Sequence, residues 1–476
     1  MIALVRNFFQ VGHMLKAGAV KGELPSSREA YANLVKIAIP SVIEMVFMSL
    51  IGAADTVMVG VLGFEAIAAV GLVGQPRMLM LALFFALNVG VTAIVARRKG
   101  QNLQEDANRT LRNAILLALA LAAIIMAAGL SFARPLMLLA GAKSDTIVMS
   151  TDYFNILAWF LPINGLTMCI NAAQRGIGNT RITMYANVAA NLVNVVFNYL
   201  LIGGNLGFPR LEVKGAAIAT AIGFCVSFAL SLAALLNGNR TGAFLRVRRG
   251  DSWKPHKETL AAIVKVGGNA MIEQGAMRIG FFAYAAIVAS LGTAAFAAHQ
   301  VGMQFLNVSF TFGDGLAVAG TALVGQMLGS ERPDMATIYG KCSQRLAFCV
   351  SLALAACMIL FRRQFVGIFL DEANPGNLAS IGLAVDLMFM VAFFQPVQMS
   401  SVVISGCLRG AGDNLYVALV MIVCVVFVRP LLSLCTIGLL GFGLVGAWGS
   451  SLVDMIVRLT LMYRRFNGGK WQLKKV

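Results

Sequence analysis

The chain has 476 residues, 59% of them in the apolar set Ala, Val, Ile, Leu, Met, Phe, Trp, Tyr and Cys and only 12% charged, with a mean hydropathy of +0.80. Soluble domains run closer to half apolar and a quarter charged. A soluble fold cannot absorb this excess, whereas a bilayer requires it: a helix crossing about 30 Å of hydrocarbon needs roughly 20 mainly apolar residues. The net charge of +17 would suggest nucleic acid for a soluble protein, but here the basic residues sit in short tracts between apolar runs, the footprint of membrane orientation.

Residues 1–33 mix apolar positions (Ile2, Val5, Phe8, Phe9) with basic ones (Arg6, Lys16, Lys21). They lack an unbroken apolar stretch followed by a small-residue cleavage site, so a cytoplasmic, interfacial segment is expected and not a cleaved signal peptide. Apolar runs then predict helices over 34–58, 67–96, 107–131, 149–174, 182–203, 214–236, 259–289, 295–326, 337–361, 378–406, 415–436 and 444–464. The expected fold class is an all-α membrane protein with twelve transmembrane helices. An even count puts both termini on one side. That side carries 28 Lys and Arg, including Arg97, Arg98, Lys99, Arg175, Arg240, Arg246, Arg248, Arg249, Arg409 and the residues of both tails, against 6 on the other (Arg134, Lys143, Arg210, Lys214, Arg362, Arg363). Such an excess marks the cytoplasm.

The chain repeats itself. LVKIAIPSVIE at 34–44 aligns with IVKVGGNAMIE at 263–273, and the same offset of 229 matches Leu62-Gly63 with Leu291-Gly292 and TAIV at 92–95 with TALV at 321–324. RGIGNT at 175–180 answers RGAGDN at 409–414. The expected organisation is a cytoplasmic segment 1–33, a six-helix half 34–236, a basic cytoplasmic linker 237–258, a second six-helix half 259–464 and a tail 465–476. Halves of even helix number share their orientation, and parallel repeats of this kind place substrate near the bilayer midplane.

Within these runs the polar residues stand out. Asp55 of the first helix leads, because a carboxylate inside an apolar helix is costly and survives by neutralising, pairing or binding a cation. Glu44 precedes it by eleven residues, which returns it to within about 20° of the same face, roughly 16 Å away. Glu44 could begin a polar path, or share a structural task with its repeat partner Glu273. Asn187, Asn191, Asn194 and Asn198 form one stripe on the fifth helix, either bonding neighbouring helices or lining a watery cavity, with the cavity favoured for Asn194 and Asn198.

In the second half Gln274, Arg278 and Tyr284 lie on the seventh helix and His299, Gln300 and Gln304 on the eighth. Arg278 could repel protons, pair with Asp386 of the tenth helix, or hold an anionic group. Arg429, Asp454 and Arg458 read as a structural charge network, and most of the 24 methionines as apolar filler, although Met45, Met48 and Met58 flank Asp55. The eight cysteines form no CxxC pair and His13, His256 and His299 match no metal-ligand spacing, so no metal or cofactor is expected. No GxxxxGK[ST], HExxH or GxSxG pattern occurs, which leaves an intramembrane enzyme or a nucleotide-driven pump without support.

Pro40 followed by AADTVMVGVLG (53–63), the two RG-x-G-[ND] turns and VKGAAIAT (213–220), in order over about 34–464, resemble the multidrug and toxic compound extrusion (MATE) family, and within it the branch named for DNA-damage-inducible protein F (DinF). The resemblance implies an antiporter that expels cationic or amphipathic compounds as its halves rock, powered by protons or sodium. It places the coupling role on Asp55. It also marks departures: Asn198 stands where many relatives carry an aspartate, and Met277 and Gln398 where relatives with an acidic second cavity carry carboxylates. Protons are therefore expected ahead of sodium. The expected setting is a monomer, multi-pass in the plasma (inner) membrane, with the lipid bilayer and small molecules as partners and no nucleic acid. A flippase for a lipid-linked or anionic intermediate is the alternative, and a channel the third reading.

The charge asymmetry predicts that single cysteines within 240–257 stay unlabelled by an impermeant thiol reagent added outside intact cells, while cysteines within 205–212 react. The reverse pattern would invert the topology.

Overall fold

A computed structural model describes residues 7–15, 20–248, 250–369 and 378–474. Arg6, Lys16, Arg249 and Lys475 of the basic set above lie outside the described residues. Twelve helical spans follow in order: α1 (Ser27–Gly60), α2 (Phe64–Gly100), α3 (Gln104–Ser131), α4 (Ile147–Trp159 with Leu161–Gly176), α5 (Thr180–Gly203), α6 (Glu212–Thr241), α7 (Lys257–Ala289), α8 (Thr293–Gly329), α9 (Pro333–Leu360), α10 (Leu378–Gly410), α11 (Asn414–Leu439) and α12 (Gly443–Asn467). Helices dominate because in hydrocarbon each backbone N–H and C=O must be paired within its own segment.

Eleven of these spans, α4 counted as one despite its 51° bend, are long and apolar enough to cross a membrane. The twelfth, α7, has 33 residues and length to spare, but Lys265, Glu273 and Arg278 interrupt its apolar run. The breaks have local causes. The α4 bend falls at Phe160, before Pro162, which has no N–H to give. In α11, wide π turns at Ile422–Val428 and Cys435–Leu439 flank Arg429 and Pro430.

α1 starts seven residues earlier than the apolar pattern suggests, and capping explains why. Ser26 N–H donates to Glu29 Oε2 at 3.0 Å and Glu29 N–H to Ser26 Oγ at 3.2 Å. This reciprocal box satisfies donors that would otherwise be orphaned at a helix start. The repeat is structural as well as sequential: Gly63 and Gly292, 229 residues apart, enter α2 and α8 at φ 105° and 101°, a region that penalises any side chain with a Cβ.

The contacts divide the chain into two compact units, one of residues Ile43–Met271, the other of Met1–Val42 with Ile272–Val476. The packing units and the sequence halves thus part at different residues: each unit takes the leading segment of the opposite half's first helix. In the 43–271 unit, α7 enters against α2 through glycines on both sides. A Cβ on Gly90 would stand 2.8 Å from the Ile263 carbonyl oxygen, and one on Gly267 3.0 Å from that of Ala86.

The linker belongs to this unit and lies against α3. Gln104 Nε2 donates to the carbonyls of Ala243 and Phe244 at 3.1 and 2.9 Å, Asn108 Oδ1 accepts from Arg246 N–H at 2.9 Å, and Leu245 is buried. In the other unit, Met14 sinks into the core, with Lys341 Nζ donating to its carbonyl at 2.6 Å, and Trp471 stacks on Phe466 at 4.8 Å.

Gly90→Val should overpack the α2–α7 crossing and cost about 1–3 kcal/mol. The readout is a lower thermal-unfolding midpoint of the purified protein, with Leu119→Val on an exposed face of α3 as a neutral control.

Candidate functional site

In the 43–271 unit, α1 and α5 meet at two levels. Glu44 and Asp55 are eleven residues apart on α1, and Asn187 and Asn198 are eleven apart on α5. The two helices hold one register, Glu44 with Asn187 and Asp55 with Asn198.

The first level is closed. Glu44 is wholly buried, forms an ion pair with Arg175, and accepts from Thr183 Oγ1 at 3.0 Å and Asn187 Nδ2 at 2.6 Å. Asn187 Oδ1 in turn accepts from Ser227 Oγ of α6 at 2.9 Å. Arg175 is the arginine of the first RG-x-G turn. In the other unit the buried Glu273 pairs in the same way with Arg409, the arginine of the second. Each glutamate therefore fastens its helix to the end of a neighbour, α4 or α10.

The second level is built differently. Asp55 is partly buried and accepts from Asn198 Nδ2 at 2.6 Å. The hydrogen-bond network orients the Asn194 amide: its nitrogen donates to the same Asp55 oxygen at 2.8 Å, while its oxygen accepts from Thr220 Oγ1 at 3.2 Å and Thr220 N–H at 3.1 Å. Asn194 and Asn198 are buried, and Asn198 Oδ1 has no partner among the described residues. Arg77 of α2 and Tyr153 of α4 lie within electrostatic reach of Asp55. Asn191 is partly buried between the two levels. The carboxylate is thus held by neutral amides, and among the described residues no guanidinium or ammonium is in ion-pair contact with it.

Sequence reasoning passed over Arg77, Tyr153 and Thr220. Arg77 carries the signal that drew attention to Arg278, a charge within an apolar run, and Thr220 ends the VKGAAIAT motif. Tyr153 has no such mark.

The second unit scatters its sequence candidates. Gln274 is partly buried, and Arg278, Gln300 and Asp386 are exposed. Among the described residues no ion pair joins Arg278 to Asp386. Tyr284 does not line an open surface: it is buried, packed 5.5 Å from the His299 ring, which stands 5.5 Å from Trp448. Arg429 lies 5.4 Å over Tyr284 and donates to Asp454 Oδ2 at 2.6 and 3.0 Å, while Arg458 reaches the same oxygen at 3.0 Å. Gln398 is buried. Among the described residues no group of three His, Cys, Asp or Glu side chains is placed to hold a metal ion.

These features define a multi-pass helical membrane protein in which a carboxylate, Asp55, is held by neutral groups inside a span. The MatE family profile matches residues 40–200 and 270–434, and the chain belongs to that family of membrane transporters. The chain is 25% identical over 459 residues to a "Probable multidrug resistance protein NorM" of Thermotoga maritima, covering 96% of each, and 27% identical over 452 residues to the protein of that name in Pseudomonas putida, covering 93% of this chain and 95% of the relative. Its fold is similar to that of a MOP superfamily transporter from Pyrococcus furiosus (TM-score 0.86, 22% identity, 94% of this chain and 97% of that one). It is also similar to a multidrug resistance MATE family transporter solved in an outward-facing conformation (TM-score 0.85, 23% identity, 93% and 97%).

Removing Arg175 leaves the Glu44 carboxylate buried without its counter-ion. Arg175→Ala should cost about 3–5 kcal/mol, and the double variant Glu44→Ala/Arg175→Ala less than the sum of the two single ones. Thermal unfolding of the set reads both effects; additive losses would mean that the pair does not act as a unit.

Proposed function

We propose that the protein is a secondary antiporter that exports cationic or amphipathic small molecules in exchange for protons, with Asp55 as the group at which proton and substrate charge alternate. The observation that carries this reading is the chemistry around Asp55. With Asp55 as the acceptor, the hydrogen-bond network turns the nitrogens of both amides toward it. Hard cations seek several oxygen ligands together, so sodium would require both amides to turn over and give up these bonds to the carboxylate. A proton needs only the carboxylate. A charged Asp55 attracts a cationic substrate, and its protonation from outside releases that substrate: exchange by linkage, in which two ligands favour different states. The names of the NorM relatives support multidrug export as the task.

The excess of basic residues on one side supports a chain with both termini in the cytoplasm; a monomer in the plasma (inner) membrane is part of the same proposal. No cofactor enters this scheme. One observation suits a second reading: Arg278, exposed on α7 and outside every ion pair among the described residues, could hold the anionic head of a lipid-linked intermediate.

Reconstitution into liposomes tests the proposal. Wild-type protein should drive uphill movement of a cationic dye under an imposed pH gradient and not under a sodium gradient alone. Asp55→Asn should abolish the proton-driven accumulation while the protein stays folded. Equal transport on sodium alone, or full activity of Asp55→Asn, overturns the proposal; dye movement that never exceeds equilibrium would favour a channel.

A further inference from the structure

The eighth span carries a second polar stripe. Gln300, Gln304, Asn307, Thr311 and Asp314 follow one another at intervals of four, three, four and three residues, which keeps them on one helical face over about 21 Å of axis. Gln300, Gln304, Asn307 and Asp314 are exposed and Thr311 is partly so, whereas Val301, Phe305, Leu306 and Ser309 between them are buried. A face of three amides, a hydroxyl and a carboxylate cannot border hydrocarbon. It borders water.

The setting of Asp314 is constrained on both sides. A Cβ on Gly313 would stand 3.3 Å from Val402 Cγ1 of α10, and one on Gly315 2.7 Å from Val42 Cα of α1. Successive residues of a helix are about 100° apart, so Asp314 projects between these two close contacts. The charge around it is unbalanced. Arg409 lies within electrostatic reach of Asp314 but is already engaged in the ion pair with Glu273. Two carboxylates share one guanidinium, and among the described residues no ion pair closes on Asp314.

We propose that Asp314 is a second carboxylate of the transport path and receives the cationic group of an organic substrate, with the amides of Gln300, Gln304 and Asn307 giving hydrogen bonds along the approach. The ligand class follows from the groups present: side chains that both donate and accept suit an organic cation, whereas a metal ion would ask for a cluster of oxygens. The inference rests on the export of cations proposed above and adds the residue that selects for charge.

The test is ethidium binding to the full-length protein in lipid nanodiscs, with Nile red as an uncharged probe. Asp314→Asn should weaken ethidium binding at least tenfold and leave Nile red unchanged, and Asp314→Glu should restore part of the loss. Cysteines at 307 and 311, in a background free of the native cysteines, should react with a small charged thiol reagent. Unchanged ethidium affinity in Asp314→Asn, or inert cysteines at both positions, overturns the inference and leaves the exporter reading standing. Loss of both probes in Asp314→Asn and Asp314→Glu alike marks a structural role and overturns it too. A wild-type protein that binds no organic cation removes the exporter reading, and this inference with it.

Discussion

A carboxylate in a membrane span must find a partner inside the protein, and in this chain the buried ion pair of Glu44 with Arg175 meets that demand for α1. Charge alone would not suffice, since desolvating two ions is expensive and is offset only when the remaining lone pairs are also satisfied. Thr183 and Asn187 supply those bonds, and Ser227 completes the Asn187 amide. One side chain thereby ties together α1, the end of α4, α5 and α6. The repeat places Glu273 and Arg409 in the same relation in the other unit, so the arginine of each RG-x-G turn is a fastener of the fold.

That fastening fixes the register in which Asp55 meets Asn198. The two carboxylates of α1 lie on one face eleven residues apart, yet their partners differ in kind: a guanidinium closes Glu44, while neutral amides hold Asp55. A neutral partner orients a carboxylate without cancelling its charge. The difference separates a structural acid from one able to exchange its partner, and it arises from residues on α4 and α5, far from both acids in sequence.

The units share a plan and differ in chemistry. In the second unit Asp454 gathers Arg429 and Arg458 into a buried cluster beside Tyr284, His299 and Trp448, with no counterpart of Asp55 at the repeat position, which is Tyr284. Wide turns of α11 flank Arg429 and Pro430, and that arginine lies in the cluster. The repeat thus leaves the helix ends alike while the interiors differ.

The sequence by itself determined the class, the twelve spans, the repeat and the residues too polar for lipid, because hydrocarbon imposes a length and a composition on every segment that crosses it. It marked Glu44, Asp55 and the Asn stripe by the same rule, and the rule applied to α8 would have extended Gln300 and Gln304 to Asp314. It misjudged the start of α1, since a capping box can extend a helix beyond the apolar run, and it could not tell that Tyr284 turns into a buried cluster. Partnership was decided by the tertiary structure alone. Whether a carboxylate faces a guanidinium, an amide nitrogen or open water depends on which helix packs beside it and in what register, and periodicity along one helix contains no information about its neighbour.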